Sequence, residues 1–153
     1  MNPLDALSAC AGSWRGTNTL QDPHAGIAAE SPSKATVSPV PAGARLDYTW
    51  SYQGKPQQGS ILFGIDDTAS AITAQWTDTW HTGNQPMAFY GLKPEGPTLA
   101  VRGTYAAPPG PDWGWRIDVT PGSDNLRIVM HNIWPKEQGG KEELAVEAVY
   151  ART

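Results

Sequence analysis

Hydrophobic and polar positions alternate along most of the chain. In the stretch ARLDYTWSY, Leu46, Tyr48, Trp50 and Tyr52 fall on one face and Arg45, Asp47, Thr49 and Ser51 on the other, the period-two pattern of a half-buried strand. Similar segments recur at 12–21, 33–40, 43–53, 57–66, 70–81, 85–92, 97–106, 113–120, 124–134 and 141–152. Turn-forming residues separate them at Pro41–Gly43, Gly54–Pro56, Asp66–Asp67, Gly83–Asn84, Pro94–Pro97, Pro108–Pro111, Pro121–Asp124 and Gly139–Gly140. About ten short strands joined by hairpins predict an all-β chain, an antiparallel meander that hides its edges most simply by closing into a barrel. A two-sheet sandwich is the competing arrangement. Ahead of the strands, residues 3–10 predict a short helix, with Asn2 as cap and Pro3 at the first helical position.

Parity along each strand gives the inward face. It holds Trp14, Leu20, Leu46, Tyr48, Trp50, Tyr52, Trp76, Trp80, Phe89, Leu99, Val101, Tyr105, Trp113, Trp115, Ile117, Val119, Leu126, Ile128, Met130, Leu144, Val146 and Tyr150. A solidly packed core uses mainly Leu, Ile and Val. An aromatic interior whose side chains end in O–H and N–H groups is what a cavity for an organic ligand presents.

Composition narrows the picture. A chain of 153 residues suits one domain spanning 1–153, and 16 glycines and 14 prolines with 17% charged residues favour short elements and tight turns. A net charge of −4 without a Lys/Arg cluster argues against nucleic acid, and no apolar run approaches the roughly 18 residues of a membrane span. Leu7-Ser8-Ala9-Cys10 has the form of a lipoprotein cleavage box. Such a box follows a basic region and an apolar stretch of about seven residues or more, whereas the residues before Cys10 include Pro3 and Asp5 and no Lys or Arg. The stretch is therefore read as the end of a helix that plugs one end of the barrel. The single cysteine fits a reducing compartment, and the cytoplasm is the expected location. Assembly into a homodimer is left open.

The two ends of the chain carry a resemblance. Trp14, in GSWRG, lies on the inward face of the first strand, and Arg152, in VYART, shares parity with Tyr150 on the last. In a closed barrel these strands are neighbours, and a guanidinium over an indole contributes about 0.5–2 kcal/mol. Gly12-x-Trp14 with a terminal-strand Arg152 resembles the signature of the calycin barrels, which include lipocalins, fatty-acid-binding proteins and the heme-binding nitrobindins. The nitrobindin pattern Gly-x-Trp-x-Gly-x-Gly is met at Gly12, Trp14 and Gly16, while Asn18 replaces the last glycine. The stretch WTDTWHTGNQPMAFYG is also similar to a segment of small bacterial calycin-like proteins of unknown function. What this implies is a lipocalin-like barrel with an interior ligand.

Candidate chemistry centres on Asp78. It shares parity with Trp76 and Trp80, which sets a carboxyl on the apolar face, where it must find partners or raise its pKa. The alternatives are a functional carboxyl and a structural hydrogen bond to Tyr, Trp or Arg. His81 follows at the strand end, at the rim of a pocket or in a solvated turn. His131 faces outward by parity, and a one-residue bulge would bring it inside as an axial heme ligand. His24 falls in a Pro-Gly loop. No pair of histidines stands at close ligand spacing, Cys10 is alone, the Asp66–Asp67 pair reads as turn chemistry, and no Gly-x-Ser-x-Gly elbow, phosphate loop or dinucleotide fingerprint is present. The stretch AAPPGPDWGW is a candidate mouth holding Trp113 and Trp115.

The leading reading is a non-catalytic barrel holding a small hydrophobic or aromatic molecule, without metal or cofactor. Tyr48, Trp50, Trp76, Trp80, His81, Tyr105 and Trp115 wall the site, Asp78 orients the ligand, and Gly12, Trp14 and Arg152 form the structural signature. The alternatives are a cavity enzyme of isomerase, cyclase or lyase type using Asp78 or His81 as acid or base, and a nitrobindin-like heme protein.

Overall fold

The computed structural model describes residues 3–83, 85–93 and 96–153. The expected Asn2 cap and the turn positions Asn84, Pro94 and Glu95 lie outside the described residues. A six-residue helix, α1 (Pro3–Ser8), precedes ten strands: β1 (Gly12–Asp22), β2 (Ile27–Val40), β3 (Gly43–Tyr52), β4 (Lys55–Asp66), β5 (Ala71–Asp78), β6 (Met87–Gly91), β7 (Leu99–Tyr105), β8 (Trp113–Pro121), β9 (Asn125–Ile133) and β10 (Glu142–Arg152). Each strand pairs antiparallel with its neighbour in sequence, and β1 pairs with β10 to close the barrel. The sandwich is excluded, because closure leaves no sheet edge to cover.

The seam follows from the residues. Trp14 lies directly opposite Arg152 in the β1–β10 register, and the guanidinium stands 4.5 Å from the indole centroid. Gly16 permits the close approach of these strands, since a Cβ there would collide with the backbone of Val149 and Tyr150. Gly12, at φ 124°, occupies backbone space that side-chain-bearing residues rarely adopt. α1 packs against β2, β3 and β8, burying Leu4 and Leu7. The Trp14 indole N–H donates to the Cys10 carbonyl at 2.9 Å, and the Arg152 guanidinium donates to the Ala11 carbonyl at 3.0 Å and the Ala9 carbonyl at 3.3 Å. The helix end is thus tied to both closing strands. No helix among the described residues is long and apolar enough to cross a membrane.

Four sequence expectations are corrected. β2 begins at Ile27 rather than 33, held in register opposite β1 from Asp22–Ile27 onward. β5 ends at Asp78 rather than 81, so Trp80 and His81 belong to the following turn. Leu144 is 39% exposed because the β9–β10 register shifts between Leu144 and Val146, turning it outward. Trp113 packs beside Trp134, ring centroids 5.6 Å apart, and is only partly buried.

Candidate functional site

At one end of the barrel β5 runs into a tight turn, and Asp78 organises it. One carboxylate oxygen, Oδ1, accepts the backbone N–H groups of Trp80 at 2.9 Å and His81 at 3.0 Å, an Asx-turn of the kind Asp favours where a strand must stop. The Thr82 hydroxyl accepts the Asp78 backbone N–H at 2.8 Å, and the Asp78 carbonyl accepts the N–H of Thr82 and of Gly83. The other oxygen, Oδ2, accepts the Tyr48 hydroxyl at 2.7 Å and the Trp50 indole N–H at 3.1 Å. The Trp76 indole N–H in turn donates to the Tyr48 oxygen at 2.9 Å. Gly59, opposite Asp78 in the β4–β5 register, leaves room for the Tyr48 ring, which a Cβ there would overlap.

Asp78 is 1% exposed. Burial raises its pKa, but the approach and charge of His81 and the Tyr48 hydroxyl outweigh that effect, so the carboxyl sits below its ordinary value. Burial and the adjoining Asp78 charge push Tyr48 well above the usual phenol range. A carboxylate offers about four acceptor positions, and here all are used by protein donors. Asp78 therefore anchors the turn, its acceptor positions taken by protein donors. The interior space beside it, bounded by Asn18, Tyr48, Trp50, Tyr150 and neighbours, amounts to about 10 Å³, at the lower limit of room for one water, while an open groove of about 790 Å³ over β3–β5 also has Tyr48 and Asp78 among its lining residues.

The open volume lies on the other side of His81. A cavity of about 870 Å³ has Trp76, His81, Met87, Tyr105 and Trp115 among its lining residues, with Gln85, Pro86, Tyr90, Leu92 and Arg102 at its outer parts. It forms where β6 is short and pairs with β7 only at Tyr90–Arg102 and Gly91–Val101. Trp76 and Trp115 stack with ring centroids 5.3 Å apart and 17° between planes, and the His81 ring lies 5.5 Å from the first and 5.4 Å from the second. The Tyr105 hydroxyl donates to Asn132 Oδ1 at 2.6 Å, fixing that ring.

Two polar atoms in this aromatic group are unmatched. The Trp115 indole nitrogen is buried with no acceptor among the described residues. His81 Nδ1 stands 3.1 Å from Asp78 Oδ1, within reach for charge attraction but out of line for a hydrogen bond. Unpaired buried polar atoms cost about 1–3 kcal/mol each, and a water, ion or ligand ordinarily supplies the missing partner.

The residues expected to wall one site therefore divide. Trp76, His81, Tyr105 and Trp115 line the large cavity, whereas Tyr48, Trp50 and Asp78 stand on its packed side. Trp80 lines neither; it packs against Tyr52 at 5.1 Å, Trp50 at 5.8 Å and His24 at 6.0 Å. The proline-rich turn at Pro108–Pro111 does not line the cavity, and of its two tryptophans only Trp115 reaches it. His131 stays on the outer face beside Arg116 and Leu144, because the bulge falls in β10 and leaves β9 parity intact; an axial heme ligand from this position is not set inside the barrel. Met87 and Arg102 escaped sequence reasoning. Met87 lies on a segment read as a strand and as part of the WTDTWHTGNQPMAFYG resemblance, neither of which marks it as a wall, and Arg102 occupies a polar position that alternation assigns to solvent.

A family model described as "Protein of unknown function (DUF1579)" matches residues 2–152. No curated protein matches the chain. Among solved structures, the crystal structure of Rv2717c from M. tuberculosis is similar, with a TM-score of 0.66, 14% sequence identity, and coverage of 100% of this chain and 98% of that chain. At that identity the likeness shows the fold alone.

Proposed function

Since the chain belongs to the DUF1579 family of unknown function, whose name supplies no activity, we propose from the geometry that it is a binding protein for a small hydrophobic or aromatic molecule. The observation that carries this reading is the 870 Å³ cavity walled by the stacked Trp76–Trp115 pair. Its size falls within the range of small-molecule sites, roughly 300–1,000 Å³, and its makeup of aromatic walls with few polar groups is theirs as well. The unmatched Trp115 N–H adds a donor for an acceptor atom on the ligand. The partner is a small molecule. A calycin-like assignment of the barrel rests on the same footing, supported by the Trp14–Arg152 seam.

The cavity-enzyme reading is weaker, because the Asp78 carboxyl is kept charged with every acceptor position filled. Equilibrium binding of the neutral fluorophore phenylnaphthylamine tests the proposal. The wild-type protein binds it with one-to-one stoichiometry, and Met87→Trp, which fills the cavity from β6, abolishes binding while the circular dichroism spectrum is retained. Unchanged binding by Met87→Trp overturns the assignment of the site.

A further inference from the structure

We propose that the ligand of this cavity is an aromatic organic anion whose charged group is held by Arg102; this rests on the binding function proposed above. Three observations converge on it. First, Arg102 has no ion-pair or hydrogen-bond partner among the described residues, although the chain carries more carboxylates than basic side chains. Arg45, Arg116 and Arg127 each meet a carboxylate, and Arg152 meets carbonyls and the Trp14 ring; Arg15 is likewise unpaired among the described residues but does not line the cavity. Arg102 is left exposed at the cavity's outer part.

Second, its cross-strand neighbour offers it no countercharge. In the β7–β8 register Arg102 lies directly opposite Arg116, and like charges facing each other across a sheet are destabilising. Arg116 is compensated by Asp118 at 2.8 Å and Glu142 at 3.7 Å. Arg102 has no carboxylate of its own at ion-pair distance among the described residues, so an anion arriving at the cavity supplies the kind of contact that Arg116 already has.

Third, no Asp or Glu among the described residues lines the cavity. The nearest buried carboxylate, Asp78, is walled off and saturated by its own donors. An anion thus meets no opposing charge at the wall. Its aromatic body enters between β6 and β7 toward Trp115 and Met87 on the inner face, while its charged group stays at the outer face, where the planar fork of the Arg102 guanidinium binds such groups with paired hydrogen bonds. The protein as a whole is acidic and repels anions at long range, so any preference for an anion has a local source.

Two fluorescent probes with the same aromatic body separate the possibilities: anilinonaphthalene sulfonate, an anion, and phenylnaphthylamine, which lacks the charge. The wild-type protein binds the sulfonate roughly tenfold more tightly than the neutral probe. Arg102→Gln brings the ratio of sulfonate to neutral-probe affinity down to about one, and Arg102→Lys keeps part of the preference. Equal binding of both probes by wild type, or a preference that survives in Arg102→Gln, overturns the assignment of Arg102 while leaving the aromatic site standing. Failure of both probes to bind overturns the binding function itself. Because Arg102 is exposed and unpaired, its variants fold, which circular dichroism checks.

Discussion

Arg152 faces Trp14 across the strand pair that closes the barrel, its guanidinium 4.5 Å from the indole centroid while it also donates to the Ala9 and Ala11 carbonyls. One side chain therefore joins the last strand, the first strand and the helix end. Trp14 is 1% exposed, so truncating it removes both core packing and the platform for that guanidinium.

Trp14→Ala is expected to destabilise the protein by about 3–5 kcal/mol in urea unfolding, and Arg152→Ala by about 1–2 kcal/mol. A double-mutant cycle with Trp14→Leu and Arg152→Met isolates the pair, with an expected coupling of about 0.5–2 kcal/mol. Strict additivity contradicts a direct interaction.

Asp78 contributes stability that depends on its staying ionised. Its folded pKa lies below the ordinary value, so the stability it contributes is complete above the unfolded carboxylate value near about 4 and is lost as pH falls through the lower folded value. Asp78→Asn is expected to cost about 3 kcal/mol at neutral pH, since donors that converge on a charge lose it. The gap between wild type and variant narrows as pH drops below the carboxylate range. A gap independent of pH, measured by urea unfolding at several acidic pH values, contradicts this role.

Gly59→Ala tests the packing behind that anchor. The added methyl overlaps the Tyr48 ring, and overpacking of this kind costs about 1–3 kcal/mol. Because Tyr48 bridges Trp76 and Asp78, the indole N–H resonance of Trp76 is expected to move in the variant while that of Trp14, on the opposite seam, stays in place. Movement of neither signal rules out the bridging role.

The barrel was legible because alternation is a local signal. Leu46, Tyr48 and Trp50 declare their face within one strand, and the parity of Trp14 and Arg152 at the two ends foretells the closing pair. The first part of β2 was not legible, because Ala28, Ala29 and Pro32 carry no strand preference and are held by pairing with β1. The end of β5 was readable in principle. Asp78 followed by Thr79, Thr82 and Gly83 is turn chemistry, but the tryptophan parity at Trp76 and Trp80 masked it. The cavity was hidden for a different reason. Its volume depends on β6 losing register with β7 and on side chains from β5, β6, β7 and β8 converging, which no single segment records.

The most direct test of the account follows the indole N–H signals of the seven tryptophans by NMR while phenylnaphthylamine is added. The account predicts saturable shifts at Trp76 and Trp115, with Trp14 and Trp134 unmoved. Shifts confined to Trp113 and Trp134, or absent from Trp115 at saturation, contradict the claim that the stacked pair walls a ligand site.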